Sequence, residues 1–355
     1  MTRHTLENPN RKSRRATLAD IAKHAGVSVP TVSLVLSGKG KTVALSDGLI
    51  SRVNESARAL DYSPNLLMQN MQSGESHVLT FFNCFRYIPH TEDVFGMALM
   101  TATFRAAGAL EYNVMTVCHF SDDPEKTYHA LNGGHSDGII LFAPQQNDAL
   151  LTRFRSSRLP VVMLYTSDPE GVLSSVRDDV DEGMRLIAER LYDLGHRRIA
   201  ALDEGLDNPN APERLRLLRQ HAARLGMDLP ETRILQVGYS PENTFRAVER
   251  LMGSPERPTA IFCWQNAPAA LAVRHCESMG FNVPSDVSVI GYDGIDWPGR
   301  THHRVASVYV DLDDIARRAV GILDDLVTER SHLPRSERAP VRFFEGTTLS
   351  TAPKQ

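Results

Sequence analysis

Cysteine, long apolar runs and enzyme signatures are what this 355-residue chain has little of. Its four cysteines, Cys84, Cys118, Cys263 and Cys276, lie far apart with no CxxC pair, and no histidines cluster at metal-ligand spacing. A disulfide framework and a bound metal are therefore not expected, and the thiols read as reduced and buried. No apolar run approaches the roughly 18 residues of a membrane span, and the opening MTRHTLENPNRKSRRA has no apolar signal core. A cytoplasmic protein without membrane contact is the expectation. GxSxG and HExxH are missing, and in the loop GKGKT the glycine that a phosphate loop needs five residues before Gly40 is Val35. Thirteen histidines leave room for an active site, yet no acid–base pair stands out, so neither catalysis nor a cofactor is expected.

The net charge of -4 hides an asymmetry. Residues 1–74 carry ten Lys or Arg against five Asp or Glu, net +5, and the remainder carries 29 against 38, net -9. A basic head on an acidic body suits phosphate contact by one domain only. The cluster Arg11, Lys12, Arg14 and Arg15 reads as a disordered basic tail over 1–15.

Residues 16–38, ATLADIAKHAGVSVPTVSLVLSG, carry the clearest local signal. Thr17 with Asp20 three places on is a capping box ahead of Ile21, Ala22 and Ala25, which starts a helix near Leu18. Gly26 suits the left-handed residue that ends it, and Val27 anchors the turn. Ser28 then caps a second helix whose first turn tolerates Pro30. In that helix Val32, Val35 and Leu36 face inward, leaving Val29, Pro30, Ser33 and Leu34 as the candidate major-groove reader. Thr17, Ser28, Thr31 and Asn65 complete the DNA-facing set, the last three as phosphate contacts. A third helix, capped by Ser46, closes a small core with Leu49, Ile50, Val53, Ala57 and Leu60. Pattern alone leaves open a plain two-helix hairpin in an all-α core.

Tyr62, Ser63 and Pro64 break the third helix, and NLLMQNMQSG at 65–74 follows as a linker whose Leu66, Leu67, Met68 and Met71 are unusual in a spacer. From Val78 onward, short apolar runs alternate with helical patterns in two successive sets, which predicts parallel sheets with helices on both faces. The body thus reads as two similar lobes with a ligand cleft at the carboxyl ends of the strands.

TLADIAKHAGVSVPTVSLVL and DYSPN at 61–65 resemble the N-terminus of the bacterial transcription regulators typified by the lactose and galactose repressors. The likeness extends through LGHRRIA at 194–200, ERLRLLRQHAARLG at 213–226, RPTAIFC at 257–263 and VPSDVSVIGYDG at 283–294. It implies a small all-α helix-turn-helix head at 16–62, a hinge helix or linker at 63–76, and an α/β two-lobed body like periplasmic binding proteins at 77–355. The expected first lobe is 77–175 with 307–336, and the second is 176–306 with 337–355. In the hinge, Met71 stands at the position that wedges into the minor groove, with Met68 beside it; a helix packed on the body is the alternative.

The resemblance also implies a regulator, specifically a repressor, whose affinity for a roughly palindromic double-stranded operator is controlled by a small sugar-like or related polar ligand. Two heads are needed, because one short reading helix buries too little to specify a site, so a homodimer or a tetramer is expected. Arg214 matches the family's ligand-binding arginine, Asp293 the acid that accepts hydrogen bonds from the ligand, and Asp179 the acidic position at the entry to the second lobe. Phe95 and Trp264 are candidates to stack on a ring face, and Gln265 and Asn266 to pair as amides. A surface ion pair for Arg214 and a helix cap for Asp293 are the plainer readings. Five residues depart from the family pattern: Leu34 replaces an arginine, Met71 a leucine, Val180 an asparagine, Trp264 a small residue and Asn266 an aspartate. A transport-type solute-binding protein with a vestigial head is the alternative function.

Overall fold

The structure is a computed structural model that describes residues 16–38, 43–63, 75–84, 94–117, 121, 123–145, 148–205, 211–296 and 301–354. The expected basic tail, nearly all of the hinge with Asn65, Met68 and Met71, and Cys118 lie outside the described residues. The chain divides into a head, Met1–Gly74, and a body, Glu75–Gln355.

The head contains α1 (Leu18–Ala25), α2 (Val29–Leu36) and α3 (Asp47–Ala59). At the start of α1 the Thr17 hydroxyl accepts from the Asp20 N–H at 3.3 Å while the Asp20 carboxylate accepts from the Thr17 N–H at 2.8 Å, satisfying two donors that a helix start leaves orphaned. Gly26 ends α1 at φ 66°, a left-handed conformation that a side chain would strain. Ser28 caps α2 by accepting from the Thr31 N–H at 3.3 Å. Ser46 occupies the cap position of α3, but its side chain makes no capping bond, so the expected cap is one of backbone geometry alone. Ile21, Ala22, Ala25, Val32, Val35, Val53 and Ala57 form the buried core, with Leu18, Val27, Leu36, Leu45, Leu49, Ile50, Leu60 and Tyr62 packed around it. A polar tie crosses this core: buried Ser56 donates to the Arg52 carbonyl at 2.8 Å, so the 3.0 Å contact with His24 leaves His24 Nδ1–H as donor.

The body is built from two six-stranded sheets. The first takes β1 (Val78–Asn83), β2 (Asn113–Thr116), β3 (Gly138–Phe142), β4 (Val161–Leu164), β5 (Ser174–Asp178) and β11 (Ser336–Ala339), all parallel, in the order β2-β1-β3-β4-β5-β11. The second takes β6 (Ile199–Asp203), β7 (Ile234–Gln236), β8 (Ala260–Cys263), β9 (Ser288–Asp293), β10 (Ala306–Val310) and β12 (Val341–Phe344), in the order β7-β6-β8-β9-β10-β12. Only the β10–β12 pair is antiparallel. Both sheets reverse order in the same way, so each has a topological switch point beside its first strand.

Strands buried on both faces explain the continuous apolar runs. In β3, Ile139 and Leu141 pack with α5 (Pro124–Leu131) and α6 (Ala149–Arg155), while Ile140 and Phe142 point to the opposite core with α4 (Val94–Ala109) and α11 (Leu312–Val327). The second sheet is covered likewise by α7 (Val180–Asp193) and α8 (Ala211–Arg224) on one face and by α9 (Pro241–Met252) and α10 (Asn266–Ser278) on the other.

The chain crosses between lobes slightly later than the sequence suggests. Ser174–Asp178 ends in the first sheet and the next helix, α7, packs on the second lobe; Ser307–Val310, expected in the first lobe, pairs with β9 and β12 of the second sheet. The return to the first lobe is made by α11, which packs on α4, and the last crossing falls between Ala339 and Val341. Hydrogen-bonded pairing in the register Ala306↔Ile290 to Tyr309↔Asp293 fixes the β10 assignment, which the apolar pattern alone left ambiguous.

Candidate functional site

Two surfaces of different character stand out. On the head, the outward face of α2 exposes Val29, Pro30 and Ser33, with Leu34 half-buried. Thr17 is half-buried, and its hydroxyl is engaged with Asp20 at 2.6 Å; the Ser28 and Thr31 hydroxyls lie 2.8 Å apart at the start of α2. Val29, Pro30 and Leu34 offer apolar contact only, leaving Ser33 as the hydrogen-bonding side chain of the expected reading set.

In the body, the carboxyl ends of strands from both sheets bring chemistry to one place. Asp178 closes β5, Tyr165 follows β4, Trp264 follows β8 and Asp293 closes β9. Ala143, Tyr165 and Asp293, all at strand ends, have φ of 49°, 64° and 92°. Left-handed backbone at non-glycine residues costs about 1–3 kcal/mol each, and such strain concentrates at binding sites. The two lobes are joined here by a direct bond in which buried Tyr292 donates its hydroxyl to Asp178 Oδ2 at 2.5 Å. Arg214, on α8, lies over the Tyr292 ring at 3.9 Å, donates to the Trp264 carbonyl at 2.9 Å and approaches Asp178 at 4.0 Å. It is 5% exposed, which rules out the plain reading as a surface ion pair.

Around this junction several buried polar atoms have no hydrogen-bond partner: Tyr165 Oη, Asp178 Oδ1, Arg214 Nε, Trp264 Nε1, Asn266 Oδ1 and Asp293 Oδ2. Each such atom costs about 1–3 kcal/mol if left dry, and native interiors hold few of them. Donors and acceptors are both present, contributed from both lobes. Asp293 is anchored through Oδ1, which accepts from the Ile295 N–H at 2.8 Å. Burial pushes its carboxyl up to about 7, against the opposing pull of the Ile295 N–H, Arg214, the Asn266 N–H and the Gln265 side chain. Burial likewise raises the Tyr165 and Tyr292 hydroxyls well above the usual phenol value. Asn266, fully inside, donates to the Ile295 carbonyl at 3.1 Å, and its close seat requires Gly291, where a Cβ would fall 2.2 Å from Asn266 Oδ1.

The remaining expected residues distribute as follows. Phe95 packs edge-on against Tyr165 at 5.2 Å and stacks with Phe142 at 6.1 Å, placing it in the first lobe's aromatic group beside the junction. Trp264 is buried in the second lobe's core with Tyr239 edge-on at 5.1 Å. Gln265 is the cap residue of α10 without a side-chain capping bond. Asp179 caps α7 through the Glu182 N–H at 3.3 Å, so the neighbouring carboxylate, Asp178, is the one at the junction. Asp178, Tyr165 and Tyr292 were missing from the sequence-derived set. Asp203, at the end of β6, was missing too; it is buried and burial raises its carboxyl above the usual range. The rule that ligands sit at strand carboxyl ends is the signal that points to Tyr165, Asp178 and Asp203. Cys263 and Cys276 are buried and Cys84 is half-buried.

A DNA-reading helix-turn-helix head attached to a two-lobed binding body is the organisation of a ligand-responsive transcription regulator. Residues 17–65 match the model of bacterial regulatory proteins of the lacI family, and residues 188–349 match the periplasmic binding protein-like domain. Similar along most of its length is the HTH-type transcriptional repressor PurR of Erwinia tasmaniensis, 26% identical over 341 residues that cover 95% of this chain and 98% of that one. Catabolite control protein A of Priestia megaterium is 25% identical over 311 residues, covering 86% and 91%. The fold is shared with the lac repressor dimer bound to operator and the anti-inducer ONPF, with a TM-score of 0.82 at 22% identity, covering 94% of this chain and 99% of that one. The chain thus joins a DNA-binding domain of the lacI family of bacterial regulatory proteins to a periplasmic binding protein-like domain.

Proposed function

We propose that the chain is a transcription repressor that binds a roughly palindromic operator as a homodimer and whose operator affinity is set by a small, sugar-like ligand held between the lobes. The observation that carries this reading is the set of unpartnered buried donors and acceptors drawn from both lobes around the Asp178–Tyr292 bond. A polyhydroxylated ligand answers such a set, because each hydroxyl both donates and accepts. In this account Arg214 and Trp264 donate to the ligand, Asp178, Asn266 and Asp293 accept from it, Gln265 adds an amide, and Phe95 offers a ring face. Asp179 supports the entry by capping α7 rather than by contact.

On the DNA, Ser28 and Thr31 position the head on phosphates, Thr17 lies beside them, and Val29, Pro30, Ser33 and Leu34 face the groove. With a largely apolar reading face, contact with thymine methyls and DNA shape carry much of the sequence preference. Asn65, Met68 and Met71 complete the interface in the linker. Because the Asp178–Tyr292 bond already joins the lobes, a ligand that binds one lobe arrangement better than another shifts their population, and the same difference appears as a change in operator affinity. A transport-type binding protein has no use for a head with its own packed core and capped reading helix.

Capture of genomic fragments by the purified full-length chain tests the reading. Enriched fragments sharing an inverted repeat are expected; recovery without a shared sequence would overturn it.

A further inference from the structure

A group of side chains away from the interlobe junction has ligand chemistry of its own. Glu277, near the end of α10, meets His302 and His303 of the connection that leads into β10. The ligand atoms of the three residues all lie within 4.8 Å of one another. His303 Nε2 is 3.1 Å and His302 Nε2 is 3.7 Å from Glu277 Oε1, and the two imidazole rings are 4.2 Å apart. A tetrahedral zinc ion with bonds of about 2.0–2.1 Å spaces its ligands about 3.4 Å apart, so the two measured separations straddle the required edge.

The hydrogen bonds behind His303 sharpen the point. Its Nδ1 lies 3.1 Å from Thr347 Oγ1, and that hydroxyl also accepts from the Arg304 N–H at 3.0 Å and reaches the Arg304 carbonyl at 3.4 Å. In the tautomer in which the Thr347 proton goes to that carbonyl, His303 donates through Nδ1–H and its Nε2 presents a lone pair toward the Glu277 carboxylate. In that tautomer the Nε2 lone pair and Glu277 Oε1, 3.1 Å apart, can both face a cation. A histidine oriented by a bond from its other ring nitrogen is also the usual second-sphere arrangement at a metal. The neighbouring guanidinium of Arg304 is directed elsewhere, over the Phe344 ring at 4.4 Å and toward Asp296 at 3.9 Å. Among the described residues, the ion-pair partners of Glu277 are these two histidines.

We propose that Glu277, His302 and His303 form a site for a divalent transition ion of zinc type, with solvent as the fourth ligand on the side of the exposed His302. Its position carries a structural consequence. The N-terminal end of α10 is already tied to the segment after β9 by the Asn266–Ile295 bond, and the ion ties the other end of α10 to the connection before β10. The two ties brace the second lobe's half of the junction.

The test uses the full-length chain stripped of metal by chelation and titrated with Co2+, read by its visible absorption. A saturable tetrahedral-type band at one ion per chain is expected, displaced by Zn2+. Glu277→Gln and His303→Ala should abolish it. His302→Ala, which removes an exposed side chain in contact with the other two, should raise the midpoint at least about tenfold, since even second-sphere losses cost that much. His275→Ala, which removes a histidine paired with Glu249 on the same helix, should leave the titration unchanged. A wild-type chain without a saturable band, or one whose titration is unchanged in His302→Ala and Glu277→Gln, would overturn the proposal.

Discussion

Replacing Asp293 by Asn is expected to flatten the pH dependence of the body's stability. The folded chain holds this carboxyl up to about 7, chiefly by burial, against a reference value of 3.8. Between those values the folded state binds a proton that the unfolded chain has released, so stability falls as pH rises through the window. At about 1.4 kcal/mol per pH unit the gap amounts to about 4 kcal/mol, of which about 3 kcal/mol falls between about pH 5 and pH 8. Asn keeps an oxygen for the Ile295 N–H and carries no charge, so it retains the local bond and removes the titration. Both tryptophans, Trp264 and Trp297, stand in the sequence of the body, so urea unfolding followed by tryptophan fluorescence reports this unit alone. Wild type should lose about 3 kcal/mol relative to Asp293→Asn as pH is raised across that range. Parallel pH profiles for the two chains would refute the buried, protonatable carboxyl.

Three further outcomes are expected. Ile21→Ala, at a fully buried head position, should cost the head about 2–5 kcal/mol and abolish DNA binding while the body's melting transition stays in place, as read by two-transition calorimetry. Tyr292→Phe removes the donor to Asp178 and should destabilise the body by about 1–3 kcal/mol in the urea assay. Gly291→Ala places a carbon 2.2 Å from Asn266 Oδ1, and should cost about 1–3 kcal/mol by overpacking and displace Asn266 from Ile295, weakening ligand binding in a fluorescence titration.

The head was legible almost residue by residue, because caps, turns and helical spacing are local: Thr17, Asp20, Gly26, Ser28 and Pro30 sit where short-range geometry needs them. Ser46 marks the limit, since a cap residue's identity does not guarantee that its hydroxyl turns toward the helix. The alternation of strands and helices was equally plain, yet the lobe assignment of Ala306–Val310 was not, because it depends on partners at 288–293 and 341–344 that only folding brings together. The same holds for the junction. Family matching led to Asp179, which caps α7, while the buried acid is Asp178, one residue earlier at the strand end. Tyr165 and Tyr292 belong to the junction through the placement of their hydroxyls, which no local pattern fixes. His302 and His303 are adjacent in sequence, but their carboxylate partner is 25 or more positions away, beyond any local spacing rule.

The most direct measurement of the central claim is operator affinity of the wild-type and Arg214→Met chains, on a captured fragment, across a set of sugars and related polyhydroxylated metabolites. At least one compound should change the wild-type operator Kd by about fivefold or more, the lower end of ordinary coupling between sites, and leave the Arg214→Met chain unaffected. No response to any of them, or an equal response in both chains, would contradict control of DNA binding from the interlobe junction.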